Sequence, residues 1–243
     1  MTTPATSGHH HDFATTRWSL VTRPERPQVP GTRDALAELA VSYWYPIYAY
    51  MRHGGYSPQI AQDITRGFLH ELIRSARERP QPAPKQCFRD FLLARLQVFL
   101  NGDLRAIAAD DEGPDGSTRE ELEARNRLDN AETDSPEQAY QRTFAIEIIA
   151  RAFRHLRTEA GTNDHIDMYE AMRPFLSREP GPADYDDLAR RLDARPLALV
   201  VALKRLRERF RELVARELSD TVGAPDDLVK EQKTLHDILR RPS

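Results

Sequence analysis

Cysteine is nearly missing from this chain. Cys87 is the only one in 243 residues, which excludes an intramolecular disulfide and fits a reducing cytosol. Long apolar runs are missing as well. No stretch approaches the roughly 20 residues needed to span a bilayer, and the N-terminus lacks the apolar core of a signal peptide. A cytoplasmic protein without a membrane partner is therefore expected. Strand-like alternation is absent, while Ala, Leu, Arg and Glu dominate, so the expected fold class is all-α. A large excess of one charge is also lacking: the net charge is −3, and any nucleic-acid surface must be a local patch. The signatures of catalysis are missing too, with no P-loop, no Gly-x-Ser-x-Gly, no His-Glu-x-x-His and no paired cysteines. His53, His70, His155, His165 and His236 are scattered, and Asp110-Asp111 and Asp186-Asp187 read as linker and cap residues. Neither an enzyme nor a cofactor is expected.

What is present favours helices with hydrated outer faces. Hydrophobic residues make up 40% of the chain and charged residues 30%, enough for cores beneath a well-solvated surface. The length suits one large domain or two small ones. Residues 1–11, with His9-His10-His11, could bind a metal weakly but are expected to be a polar, poorly ordered leader. Pro24, Pro27 and Pro30 mark a loop. From Arg33 onward Leu36, Leu39, Ala40, Tyr43, Ile47 and Met51 recur at helical spacing, and Pro46 is expected to kink that helix or restart it.

Gly54-Gly55 ends the segment. Ser57-Pro58 then supplies a cap and a first-turn proline for a helix reaching about Arg79. On it Ile60, Ala61, Ile64, Phe68 and Leu72 are expected inside, and Gln59, Gln62, Asp63, Arg66 and His70 outside. After the Pro80-Gln81-Pro82-Ala83-Pro84 break, a third helix carries Phe88, Phe91, Leu92, Arg95 and Phe99 to about Ala108. Asp110 to Gly116 reads as the start of a linker that continues, charged and partly helical, to about Thr133. Ser135-Pro136-Glu137 opens a long amphipathic helix reaching Leu156, and a short helix is expected within residues 165–176. Pro180-Gly181-Pro182 breaks the chain again.

Tyr185 to Leu192, then Asp193-Ala194-Arg195-Pro196, reads as helix, tight turn, helix, the second helix running from Leu197 to about Leu218. Leu199, Ala202, Leu203, Leu206, Phe210 and Leu213 form its apolar face. Lys204, Arg205, Arg207, Arg209 and Arg211 crowd one short window, opposed there only by Glu208. A basic helix after a short turn suits major-groove docking, with N-terminal residues at base edges and cations on phosphates. It also suits a solvated helix laced with ion pairs. Leu197, Val200 and Val201 point away from the apolar face. Thymine methyls, a protein partner and packing on the preceding helices are each compatible with them, and packing is the expectation.

The stretch Tyr43-Trp44-Tyr45-Pro46-Ile47-Tyr48-Ala49-Tyr50-Met51-Arg52, continued by Gly54-Gly55-Tyr56-Ser57-Pro58-Gln59-Ile60-Ala61-Gln62-Asp63-Ile64-Thr65, resembles the core-polymerase-binding region of ECF-type (extracytoplasmic function) bacterial sigma factors. The matching branch opens with Thr-Arg-Trp-Ser-Leu-Val, here Thr16 to Val21. Tyr185, Leu188, Ala189 and Leu192, followed by Arg205, Leu206, Arg207 and Phe210, resemble the −35-reading domain of the same branch. The likeness spans about residues 13–240.

It implies two helical domains joined by a linker, the second with a helix-turn-helix. Residues 12–112 would bind core RNA polymerase and the −10 element, 113–133 would be the linker, and 134–218 would read the −35 element of promoter DNA. The tail, 219–243, carries Leu228, Leu235 and Leu239 at helical spacing and could dock back as a regulatory segment. The implied function is to direct core polymerase to promoters, under control of a Ser/Thr kinase or an anti-sigma factor. Gln59, Gln62, Asp63 and Arg66 are the expected polymerase contacts; Arg195, Lys204, Arg205, Arg207 and Arg211 are the expected DNA contacts. Trp18 and Trp44 are assigned to the core.

Two departures from the family stand out. Its polymerase-binding helix usually carries an acidic cluster, whereas Ile60-Ala61-Gln62-Asp63 keeps only Asp63, with Arg66 three positions on. Fewer charges on a complementary interface lower on-rate and specificity. A phosphate on nearby Thr65 would add about −1.5 to −2 charge, which makes Thr65 a candidate phosphorylation site. The plainer reading is a threonine at the edge of the core. Beyond the Phe88-Arg89-Asp90-Phe91-Leu92-Leu93 match, the segment Asn101 to Ile107 expected to melt promoter DNA has Arg105 as its only cation and is followed by Ala108-Ala109-Asp110-Asp111-Glu112. These departures define the alternative, a degenerate sigma-like regulator that binds DNA or a protein partner without starting transcription.

Overall fold

Proline and serine set where the helices begin. The computed structural model describes residues 38, 41–78, 87–102, 118–131 and 133–240, and within them the chain is all-α. The leader, Trp18 with its Thr16–Val21 motif, the Pro24–Pro30 loop, Leu36, Leu39, Ala40, the Pro80–Pro84 run, Arg105 and the Asp110–Glu112 run lie outside the described residues. Helix α1 (Trp44–His53) holds Pro46 in its first turn, where the missing N–H costs no hydrogen bond. Gly55 turns the chain at φ 86, a conformation that favours glycine. Helix α2 (Pro58–Glu78) follows, and its Ile60 amide donates to the Ser57 hydroxyl at 3.4 Å. Helix α3 is Phe88–Leu100.

The stretch expected as linker carries a helix, α4 (Arg119–Asp129), started by a capping box between Thr118 and Glu121. Helix α5 (Pro136–Thr162) runs one and a half turns past the expected end at Leu156, and Ser135 caps it through the Gln138 amide at 3.2 Å. Helix α6 (Ile166–Met172) continues into a 3-10 turn at Arg173–Leu176. Helices α7 (Pro182–Leu192), α8 (Pro196–Ser219) and α9 (Pro225–Arg240) complete the order.

Three apolar clusters are linked by the long helix α8, and α5 joins the first and third. In the first, Trp44, Ile47 and Met51 of α1 meet Phe68 of α2, Phe88 and Leu92 of α3, and Phe144 of α5. Tyr43 stacks on Phe144 with ring centroids 4.2 Å apart. The second joins Met172 and Phe175 to Leu188 of α7 and to Leu199 and Leu203 of α8. The third, with Ala152, Leu156, Tyr169 and Leu213, lies between them. Helix α8 contributes to all three clusters and α5 to the first and third, because each is long, at ~1.5 Å per residue. The first core therefore draws on Tyr140, Phe144 and Ile148 from beyond the expected division after residue 133.

Helix α9 closes this core. Leu235 is buried in it, and Leu228, Ile238 and Leu239 pack alongside. Glu231 pairs with Arg89 of α3 through bonds of 2.7 and 3.1 Å, both side chains almost wholly buried. Gln141 takes a further Arg89 N–H, and the Tyr140 hydroxyl donates to the Arg89 carbonyl at 2.8 Å. Burial opposes the guanidinium charge, yet the Glu231 carboxylate holds the Arg89 pKa above its ordinary value. A buried ion pair tolerates desolvation only when satisfied in this way.

Candidate nucleic-acid interface

Helix α7 ends because Asp193 adopts the left-handed conformation, φ 47 and ψ 46, which lets the Ala194 amide donate to the Ala189 carbonyl at 3.1 Å. Asp193, Ala194 and Arg195 make the turn, and Pro196 opens α8 in extended-to-helical register. Arg195 holds the N-cap position and caps nothing with its side chain, so its guanidinium projects outward. At the start of α7, Asp184 accepts from the Gly181 amide at 2.8 Å and from Arg178 at 2.9 and 3.0 Å. The Arg178 bonds, and then the Gly181 amide, hold the Asp184 carboxyl down at about 2.

The five expected DNA contacts do not behave alike. Arg195, Arg205 and Arg211 are exposed and make no ion pair among the described residues. Lys204 is exposed and lies 3.9 Å from Glu208, a loose pair. Arg207 is different. Its Nε donates to the Phe175 carbonyl at 3.1 Å, its Nη2 to the carbonyls of Phe175 at 2.7 Å and Arg178 at 2.8 Å, and its Nη1 to Glu179 at 2.7 Å. It ties α8 to the end of the 3-10 turn and is occupied. Arg209, counted in the basic window, is bound to Glu159 of α5 and Glu212.

Leu197, Val200 and Val201 correct an expectation. They do not pack on the preceding helices: they are 76%, 43% and 45% exposed, on the first two turns of α8. The inner face of the same turns, Leu199 and Leu203, is fully covered by the second cluster. The outer face of α8 is thus apolar at its start and cationic beyond.

The expected polymerase contacts on α2 are split. Gln59 is exposed, Asp63 and Arg66 are half-buried, and Gln62 is only 1% exposed. Ile60, expected inside, is 49% exposed. Gln62 is buried because of α4: Arg119 donates to the Gln62 side-chain oxygen at 3.3 Å, and Leu122 is sunk into the first core. Glu123 of α4 accepts from Arg52 at 2.7 and 2.7 Å and from the Tyr48 hydroxyl, and Asp129 accepts from the Tyr45 hydroxyl at 3.0 Å. A helical wheel cannot register a neighbouring helix. Thr65 is likewise not at an edge; it is wholly buried, its hydroxyl donating to the Ala61 carbonyl at 2.7 Å, and in this fold a kinase cannot reach it.

In the segment expected to handle the −10 element, Phe88, Arg89, Leu92 and Leu96 are all interior. Cys87 holds the N-cap position of α3 without a side-chain cap bond, and burial, and then the Glu231 charge, push its thiol up to about 12. Among the described residues no group of three or more His, Cys, Asp or Glu is placed to hold a metal, and no helix is long and apolar enough to cross a membrane. Comparison with protein-family models, with curated proteins and with solved structures finds no match.

Proposed function

We propose that the protein is a sigma-type transcription factor that carries core RNA polymerase to promoter DNA, with its DNA-reading surface open and its polymerase-binding surface covered in part, at Gln62. The observation that carries the reading is the outer face of α8. A helix entered through a three-residue turn leaves Arg195, Lys204, Arg205 and Arg211 directed to solvent while its inner face is anchored. That is the arrangement in which a helix enters the major groove and its cations meet phosphates. The order of sigma-like motifs along the chain supports the same reading. It needs no catalytic group.

A second reading is favoured by the burial of Gln62. With α4 lying over α2, the expected polymerase contacts are not all available, as they would not be in a sigma-like regulator that binds DNA without polymerase. One experiment separates the two. Duplex DNA binding is measured over a salt series, beside capture of bacterial core polymerase by the full chain and by Arg52→Met. Salt-dependent DNA binding with polymerase capture, raised in the Arg52→Met variant that loosens α4, supports the sigma factor. DNA binding without capture in either form supports the regulator. No DNA binding at low salt sinks both.

A further inference from the structure

The apolar start of α8 has a partner with matching chemistry. Leu197, Val200 and Val201 are the exposed side chains of its first two turns apart from Pro196 and Ala198, and no acid lies in the first turn. By the 100° step of a helix, Leu197, Val201 and Lys204 lie along one line, with Val200 and Arg205 on its flanks. Arg191 and Arg195, both exposed, stand at the other end. The apolar triad is therefore bracketed by cations. A protein-binding patch is expected to concentrate aromatic residues and methionine at its centre and to deplete charge, and this face offers neither.

In the DNA major groove the one apolar feature of the base edges is the thymine C5-methyl group. The outer face from Pro196 to Arg205 contains no Asn or Gln, the residues suited to adenine, and no Asp or Glu to accept from cytosine. We infer that Leu197, Val200 and Val201 read thymine methyl groups in double-stranded DNA, with Arg195, Lys204 and Arg205 supplying the phosphate and guanine contacts around them. The inference rests on the DNA-binding reading above and deepens it. It makes the site selective for a chemical group and independent of any hydrogen bond from these three residues.

Replacing thymine by deoxyuridine removes the methyl and leaves the base's hydrogen-bonding edge intact. The full chain is used to select duplexes from a randomised library spanning about one turn of B-DNA, ~10 base pairs. The selected duplex is then remade with each thymine changed singly to deoxyuridine. Affinity is expected to fall about threefold to fourfold at one or more positions, the scale of one methyl withdrawn from an apolar contact. Leu197→Ala, or the pair Val200→Ala and Val201→Ala, is expected to bind the thymine and deoxyuridine duplexes equally, with the salt slope unchanged. These side chains are exposed, so the variants keep the fold, and their helicity is checked by circular dichroism.

A selected duplex that tolerates deoxyuridine everywhere, or a Leu197→Ala variant that still discriminates, overturns the inference while the DNA-binding reading stands. Failure to enrich any duplex at about 50 mM salt overturns both. If the chain then self-associates and Leu197→Arg abolishes the association, the face is a protein interface.

Discussion

Two polar faces of this molecule, on α2 and on α8, read much alike in sequence and have opposite fates in the structure. On the α2 face α4 covers Gln62, which it holds with Arg119, and it pins itself to α1 through Glu123 and Asp129, while Gln59 stays exposed. Among the described residues no helix lies across the α8 face, and its Lys204, Arg205 and Arg211 point to solvent. Composition does not distinguish the two. A neighbouring helix does, and α4 is held mostly by polar contacts: Leu122 is its one buried apolar side chain, while Glu123, Arg125 and Asp129 bond to or stack on Arg52, Tyr45, Tyr48 and Glu147. Burying one leucine is worth about 1.5–3 kcal/mol, so much of the attachment rests on these charged and hydroxyl groups.

The contrast can be broken most strongly at Thr65. Thr65→Glu places a carboxylate at a wholly buried position whose local acceptor is a carbonyl. The expected loss is about 3–5 kcal/mol, the scale of an uncompensated buried charge, read in a denaturant midpoint. A variant as stable as the parent would mean that Thr65 reaches solvent. Next comes Leu122→Ala, which removes the apolar anchor of α4 and should cost about 2–5 kcal/mol locally. Hydrogen exchange around Gln62 and Thr65 should quicken, while amides of α8 keep their rates; equal quickening in both would show that the faces are not independent.

Within α8 the pair Arg205→Ala and Arg207→Ala sharpens the distinction between open and occupied cations. Loss of Arg207 should destabilise by about 1.5–3 kcal/mol through its bonds to two carbonyls and Glu179. Loss of Arg205 should leave stability within about ±0.5 kcal/mol and lower the salt slope of DNA binding by about one. The reverse pattern in melting and binding curves would exchange their roles.

The smallest effect is acidic. Hydrogen bonds from Arg52, against a smaller opposing cost of burial, hold the Glu123 carboxyl below its ordinary 4.5. The stability this lends to α4 is complete above pH 4.5 and lost as pH falls through the lower folded value. Trp44 stacks on Tyr48, whose hydroxyl meets Glu123, so its fluorescence should change in that window. A Trp18→Phe background isolates the signal, and Glu123→Gln should abolish the transition.

Helix positions were legible because they rest on local chemistry. Ser57-Pro58 and Ser135-Pro136 announce starts that the structure places at Pro58 and Pro136, and the Leu199–Leu213 periodicity of α8 faces inward as spaced. Helix α4 was harder to see, since Arg-Glu-Glu-Leu-Glu-Ala-Arg offers only one core residue; the Thr118-x-x-Glu121 capping box was the available signal. Burial of Gln62 and occupation of Arg207 both depend on residues at least 28 positions away in the chain. No local pattern encodes those. The expected packing of Leu197 on the preceding helices fails for the same reason: a wheel identifies a face without its neighbour, and Leu197 is exposed.

The Arg89–Glu231 pair joins residues 142 positions apart, and this sets an order of events during synthesis. At ~5–20 residues per second, Arg89 emerges roughly 7–28 seconds before the carboxylate that neutralises it. During that interval the exposed Asp90, 3.0 Å from Arg89 in the folded chain, is on hand to answer the charge. The buried, two-pronged partner arrives with α9, so α3 completes its polar pairing late in synthesis.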